Sequence, residues 1–263
     1  MDRDIPTYSL LLLIAFVLIP LSISYFYSLG LKKDIIWSTI RGTAQLFLIG
    51  LVLTYLFDLP PFIGIPIMLS VMITVATFHA RKKGKELPYV TLALFAGLVT
   101  IELVVLSMWL GFGMISFTAE EVIPMSGMVI GNSMVAMGLA LERLKNEFEQ
   151  NRGQLLAALS LGATPKQAAH LSIKTTLNAA LMPNIDQLKT IGLVQLPGMM
   201  TGLILGGVSP LVAIKYQLVI SISIFSSVSI SAIFISMMMY RFFFNEHMQL
   251  LKLEDIKKSA NGS

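Results

Sequence analysis

The chain has 263 residues, of which 55% are hydrophobic and only 13% charged, about half the charged share of an ordinary soluble domain, and this excludes a water-soluble globular fold. The formal net charge of +4 follows from an uneven distribution of Lys and Arg between loops and requires no nucleic-acid partner. With no cysteine, disulfides, thiolate zinc sites and iron–sulfur clusters are excluded too.

A membrane crossing takes about 20 mostly apolar residues for about 30 Å of hydrocarbon. Stretches free of Asp, Glu, Lys and Arg, or nearly so, predict spans in chain order at Ile5–Leu31, Ile36–Phe57, Leu59–Ala80, Pro88–Leu110, Val122–Leu141, Thr190–Ile214 and Tyr216–Tyr240. The second carries Arg41 and the fourth Glu102. The first lacks the net positive start and the cleavage site of a signal peptide and reads as a span. The expectation is an all-α, polytopic helical membrane protein of about seven transmembrane helices, forming one domain over residues 1–263. Sixteen of the nineteen Lys and Arg fall on one set of loops, and Asp2, Asp4, Asp58, Glu120 and Glu121 crowd the other. Positive loops stay cytoplasmic, so the N-terminus is expected outside and the C-terminus inside.

The loops are short except for a cytoplasmic segment of about 142–189. Its first part, "LERLKNEFEQNRGQ", continues the fifth span into water, with Glu142 and Lys145, or Glu149 and Arg152, spaced i, i+3 for ion pairs. Leu155, Leu156, Leu159 and Leu161 then form an apolar stripe up to Gly162, a residue favoured just past a helix end. Thr164 before Pro165, with Gln167 three residues on, is the signature of a capped second helix. Two short helices joined by a tight turn are expected. With only Lys166 and Lys174 to meet lipid headgroups, the unit suits docking into another protein better than lying on the bilayer.

Polar groups inside spans are costly and face a partner or a water-filled path. Glu102 reads either as a cation ligand or proton acceptor in such a path, or as a structural acid. Arg41 reads as structural or snorkelling, with Gln45 one turn further on the same face. Asn132 and Ser133 lie mid-span among Met125, Met128, Met134 and Met137, whose flexible side chains read as core packing. Gly127 and Gly131, and Gly198, Gly202 and Gly206, repeat at four-residue spacing, which lets helices approach closely within a subunit or across a dimer; a broken helix lining a path is the other reading. The serines between Ser221 and Ser231 read as bonds between helices. His79, His170 and His247 sit at or beyond span ends, so no metal ligand set is defined. Gly131-Asn132-Ser133 echoes an intramembrane serine protease, but it lacks the following Gly and a mid-span His to act as base. An enzyme is therefore not expected.

Several longer stretches resemble one family. "TIRGTAQLFLIGLVL" (residues 39–53), "GNSMVAMGLALERL" (131–144), "LGATPKQA" (161–168) and "LMPNIDQLKTIGLVQLPGMMTGLILGGVSPLVAIKYQLVI" (181–220) are similar to the FetB-type (YbbM-type) permeases. Ala157-Ala158-Leu159-Ser160-Leu161-Gly162 resembles the centre of the coupling-helix motif of ABC transporter permeases. The resemblance implies a permease subunit, paired as a homodimer in a bacterial inner (plasma) membrane, that exports iron under the drive of a separate ATP-binding-cassette ATPase. Another metal, or an organic solute such as a sugar nucleotide, is the alternative load, and plant relatives are tied to aluminium tolerance. The implied coupling residues are Leu155, Ala157, Ala158, Gly162, Ala163, Thr164, Pro165 and Gln167; the candidate path is Glu102, Arg41, Gln45, Asn132 and Ser133. A nucleotide site would need Gly-x4-Gly-Lys-[Ser/Thr], which the chain lacks, so ATP and Mg²⁺ are expected on the partner and no cofactor on this chain.

Overall fold

The computed structural model describes residues 12–256, so the start of the first expected span, Ile5 to Leu11, lies outside the described residues. Two compact units divide the chain at Pro60 and Pro61. The first holds α1 (Leu13–Phe26) and α2 (Lys32–Phe57). Ser28 and Gly30 adopt positive φ angles between them, and the Lys32 ammonium lies 4.1 Å from the centre of the Tyr25 ring, an arrangement that ties the ends of both helices together.

The second unit contains α3 (Pro61–Arg81), α4 (Val90–Gly111), α5 (Ala119–Gln150), α6 (Arg152–Ser160), α7 (Pro165–Thr190), α8 (Gly198–Leu205) and α9 (Pro210–Met239). Among the described residues five helices are long and apolar enough to cross a membrane, namely α2, α3, α4, α5 and α9 with its 3₁₀ extension to Phe243; α1 is apolar but shorter. The chain is an all-α, polytopic helical membrane protein.

Helix α5 is the hub, packing against α3, α4, α7 and α9. Its inward face is lined by Val122, Val129, Met137, Leu141 and Leu144, all fully buried or nearly so. Helices α5 and α9 run in parallel. At one end Tyr216 points its hydroxyl at Glu121 Oε1, 3.4 Å away, and at the other the rings of Phe148 and Phe243 lie 4.3 Å apart. Between these ends Trp109 of α4 donates its indole N–H to Ser223 Oγ of α9 at 2.8 Å, satisfying a buried donor that hydrocarbon would leave unpaired.

The close helix approach occurs at a glycine outside the expected stripes. A Cβ on Gly97 of α4 would stand 2.7 Å from Met137 Cε and 2.9 Å from the Phe234 ring, whereas nothing comes within 4 Å of that position on Gly131, Gly198 or Gly202. Gly127 meets only the tip of Met72, and Gly206 only the backbone of its own helix. Within the chain, then, Gly127 makes an ordinary contact with Met72 of α3, and Gly131, Gly198 and Gly202 stand at no close helix approach.

The expected sixth span, Thr190–Ile214, is not one helix. Helix α7 runs on to Thr190, the chain unwinds through residues 191–197, α8 lasts eight residues, and a turn at Gly206-Gly207 leads to α9. Two local causes act together: Gly192 and Gly207 take φ of +83° and +93°, and Pro197 and Pro210 limit continuous backbone bonding. The expected second short helix is instead 26 residues long, about 39 Å at 1.5 Å per residue, and lies against α5 and α9.

Beyond α9 the chain hooks back under α5. Arg152, opening α6, donates to the carbonyl of Leu251 at 2.8 Å and that of Leu250 at 3.0 Å. The expected i, i+3 pairs give way to longer-range ones: Lys83 binds Glu142 and Lys145 binds Glu86, each at 2.6 Å. They fasten the α3–α4 loop to the extension of α5, each worth little by itself at a partly exposed site.

Candidate functional site

Two places in the second unit combine polar or exposed apolar groups in defined geometry. The first is the α6–α7 turn. Leu161 N–H bonds back to Ala157, Gly162 sits at φ +89°, and Thr164 begins α7. The capping box is complete: Gln167 Oε1 accepts from the Thr164 N–H at 2.9 Å, and Thr164 Oγ1 accepts from the Gln167 N–H at 3.4 Å. This fixes the turn without tertiary help, since orphan amides at a helix start are satisfied locally. Leu155 is turned inward at 2% exposure and Leu161 outward at 89%. Leu155 therefore anchors the unit to its own chain instead of meeting a partner. Ala157, Gly162, Thr164 and Gln167 are exposed, and Ala158, Ala163 and Pro165 half-buried.

The second place is the break between α7 and α8. A cavity of about 210 Å³ opens there, walled by Met128 and Asn132 of α5, Asn184 and Gln187 of α7, Gln195 in the unwound segment, Gly198 and Met199 of α8, and Gln217 and Ser221 of α9. Gln217 Nε2 donates to Ser221 Oγ at 2.7 Å, while its Oε1 is buried without a partner. Asn132 Nδ2 donates to the Met128 carbonyl at 2.8 Å. A more apolar pocket of about 260 Å³ shares Leu188, Ile191, Pro197, Gln217 and Ser221 with it.

Of the five expected path residues, the structure brings only Asn132 to this cavity. Its neighbour Ser133 is fully buried, with a hydroxyl that has no partner. Glu102 is 3% exposed inside α4 and does not line the cavity. The Ser126 hydroxyl lies beside it without reaching hydrogen-bond geometry. Arg41 and Gln45 belong to the first unit, where both are exposed on α2. Met125 and Met137 are core residues, and of the four α5 methionines named from the sequence only Met128 reaches the cavity. Of the last-helix serines, Ser223 bonds across to Trp109 of α4 as expected, whereas Ser227, Ser229 and Ser231 bond carbonyls four residues back on their own helix, a local solution open to hydroxyls in any apolar setting. Among the described residues no group of three or more His, Asp or Glu is placed to hold a metal ion.

Asn184, Gln187, Gln195 and Gln217 were not legible as a site because uncharged amides leave no mark in a search for charge-free stretches. The available signal was the i, i+3 spacing of Asn184 and Gln187 and the i, i+4 spacing of Gln217 and Ser221, which put each pair on one helical face.

Comparison with known proteins matches residues 7–244 to the model of UPF0014, described as an uncharacterised protein family. The chain is 37% identical over 257 residues to the "Probable iron export permease protein FetB" of Escherichia coli, covering 98% of this chain and 99% of that protein. It is 40% identical to the UPF0014 membrane protein YjkA of Bacillus subtilis, covering 94% and 98%, and 34% identical to the Protein ALUMINUM SENSITIVE 3 of Arabidopsis thaliana, covering 89% and 86%. No solved structure matches.

Proposed function

The chain belongs to the UPF0014 family, and from that premise we propose that it is the membrane-spanning permease subunit of an ATP-binding-cassette transporter that moves iron out of the cytoplasm. The observation that carries this reading is the α6–α7 turn, a rigid two-helix corner that holds Leu161 out in water at 89% exposure. An isolated exposed leucine needs no explanation, but one fixed at the tip of a capped, glycine-closed turn is shaped to enter a cleft in another protein. The name of the Escherichia coli relative supports both the permease role and iron as the load.

In this reading α5 descends to the cytoplasm, α6 lies across the ATPase, α7 returns, and α9 descends again. The N-terminus is outside, the C-terminus inside, and the membrane is the bacterial plasma membrane. Two copies pair over two ATPase subunits, which hold ATP and Mg²⁺. Closure of those subunits on ATP pushes α6. Because α6 packs on α5 and α7 and Arg152 bonds the segment that follows α9, the push is passed to the helices that wall the cavity, which suits alternating access.

The test is co-purification of the chain with its ATPase in lipid, followed by flux of radioactive iron into inside-out vesicles. ATP-dependent uptake is the expected result. A stable complex that hydrolyses ATP and moves no iron would retain the permease and discard the load, and absence of any complex would discard both.

A further inference from the structure

We propose that the cavity at the α7–α8 break is the site where the load is held in the membrane, and that it takes a metal as a compact organic chelate, not as a bare ion. The inference rests on the transport reading above and adds a place and a substrate class to it.

Depth is the first argument. On α9 the lining residues Gln217 to Phe225 lie 7 to 15 positions past Pro210, about 10 to 22 Å along the helix. On the parallel α5, Met128 and Asn132 lie 9 and 13 positions past Ala119, about 14 to 20 Å. Tyr216, paired with Glu121 near the start of α5, immediately precedes Gln217, so the cavity begins near that end of the two helices and extends inward along them for about 12 to 17 Å. Residues 191–197 are unwound and mostly exposed, with Leu193 at 92% and Gln195 open, and inside hydrocarbon backbone of that kind is tolerated only where it is buried in protein or lines a water-filled space. Asp186 and Lys189, paired at 3.0 Å and both largely exposed, flank the break on α7.

Chemistry is the second argument. The groups that converge on the cavity are Asn132, Asn184, Gln187, Gln195, Gln217 and Ser221. Each has both donor and acceptor capacity, and Gln217 Oε1 is buried with its bonding capacity unspent. No carboxylate, imidazole or thiolate lines the space, and the nearby Asp186 carboxylate is already paired. Stripping water from a multivalent cation costs far more than neutral amides return, and iron favours imidazole and carboxylate ligands over amides. The two helix ends add a dipolar field. The C-terminal end of α7, carrying partial negative charge, and the N-terminal end of α8, carrying partial positive charge, both border the cavity. A metal already wrapped by a hydroxycarboxylate presents acceptors and hydroxyl donors on its outside, and it matches an amide-lined, dipolar space.

The experiment measures equilibrium binding of radioactive ferric citrate, iron-free citrate and ferrous ion to the full chain in lipid nanodiscs, with no ATPase present. The near-isosteric double variant Asn184→Leu and Gln217→Leu should bind ferric citrate at least tenfold more weakly than the unaltered chain. Because the chain has no cysteine, Gln195→Cys supplies a single thiol as a second readout that does not depend on the double variant folding. Ferric citrate should slow its reaction with maleimide at least fivefold, and ferrous ion should not. Unweakened binding by the folded double variant, or no protection of the thiol, overturns the site. Saturable binding of ferrous ion, or iron-free citrate binding as tightly as the chelate, overturns the substrate class. A chain that binds ferric citrate here and shows no ATP-driven flux with its ATPase keeps the site and loses the transport reading.

Discussion

Gly97 shows how much a single missing side chain governs. Three helices meet where its Cβ would stand 2.7 Å from Met137 Cε and 2.9 Å from Phe234. Gly97→Val should cost about 1–3 kcal/mol through overpacking, read as a lower thermal unfolding midpoint in detergent; an unchanged midpoint would show that Met137 and Phe234 swing aside freely. Glu102 makes the opposite case. It is buried at 3% exposure with both carboxyl oxygens unpartnered, yet it stands off the cavity. Glu102→Gln, which keeps the shape and removes the acid, should leave ferric citrate binding within twofold of the unaltered chain. A tenfold loss would return this residue to the path. Both residues were visible in the sequence, but only Glu102 drew notice there, because an intramembrane charge is conspicuous and a lone glycine is not.

The α6–α7 corner is the element whose sequence signature carried furthest. Gly162, Thr164, Pro165 and Gln167 act through local bonds, so their spacing alone specified the turn. Thr164→Ala should remove about 1 kcal/mol of capping while the protein still inserts. Leu161→Asp should assemble in the membrane but fail to stimulate the ATPase, and full stimulation would end the docking role of the corner. The element read least well is α7. Lys174, Asp186 and Lys189 interrupt its apolar character, so a charge-based count placed it in water and began the sixth span at Thr190. In the structure the same helix packs its Ala169, Ser172, Ile173, Thr176 and Ala180 face into the bundle, and its charged groups lie on the other side. Hydropathy averages over both faces and loses that distinction.

At the scale of the whole molecule the proposed transport reading puts α7 in place of the expected sixth span, although α7 is not among the helices apolar enough to cross by themselves. In that reading a helix still returns between α5 and α9, and the end assigned outside remains the same. Single cysteines in this cysteine-free chain test the arrangement directly. Ser209→Cys, at the start of α9, should react with an impermeant maleimide on intact cells, and Lys166→Cys only after permeabilisation. The reverse pattern would invert the topology and with it the direction of export.

Composition by itself determined that the chain is a helical membrane protein, because apolar content and helix length are properties of the chain before it folds. The capped corner at Thr164 was equally fixed, since its bonds join residues three apart. The amide cavity was decided only by tertiary structure. Asn132, Asn184, Gln195 and Gln217 are separated by up to 85 positions and become one surface solely through the parallel packing of α5 and α9 and the interruption of the helix between them. Uncharged polar groups announce themselves by what they face, and in a membrane protein that depends on which helices close around them.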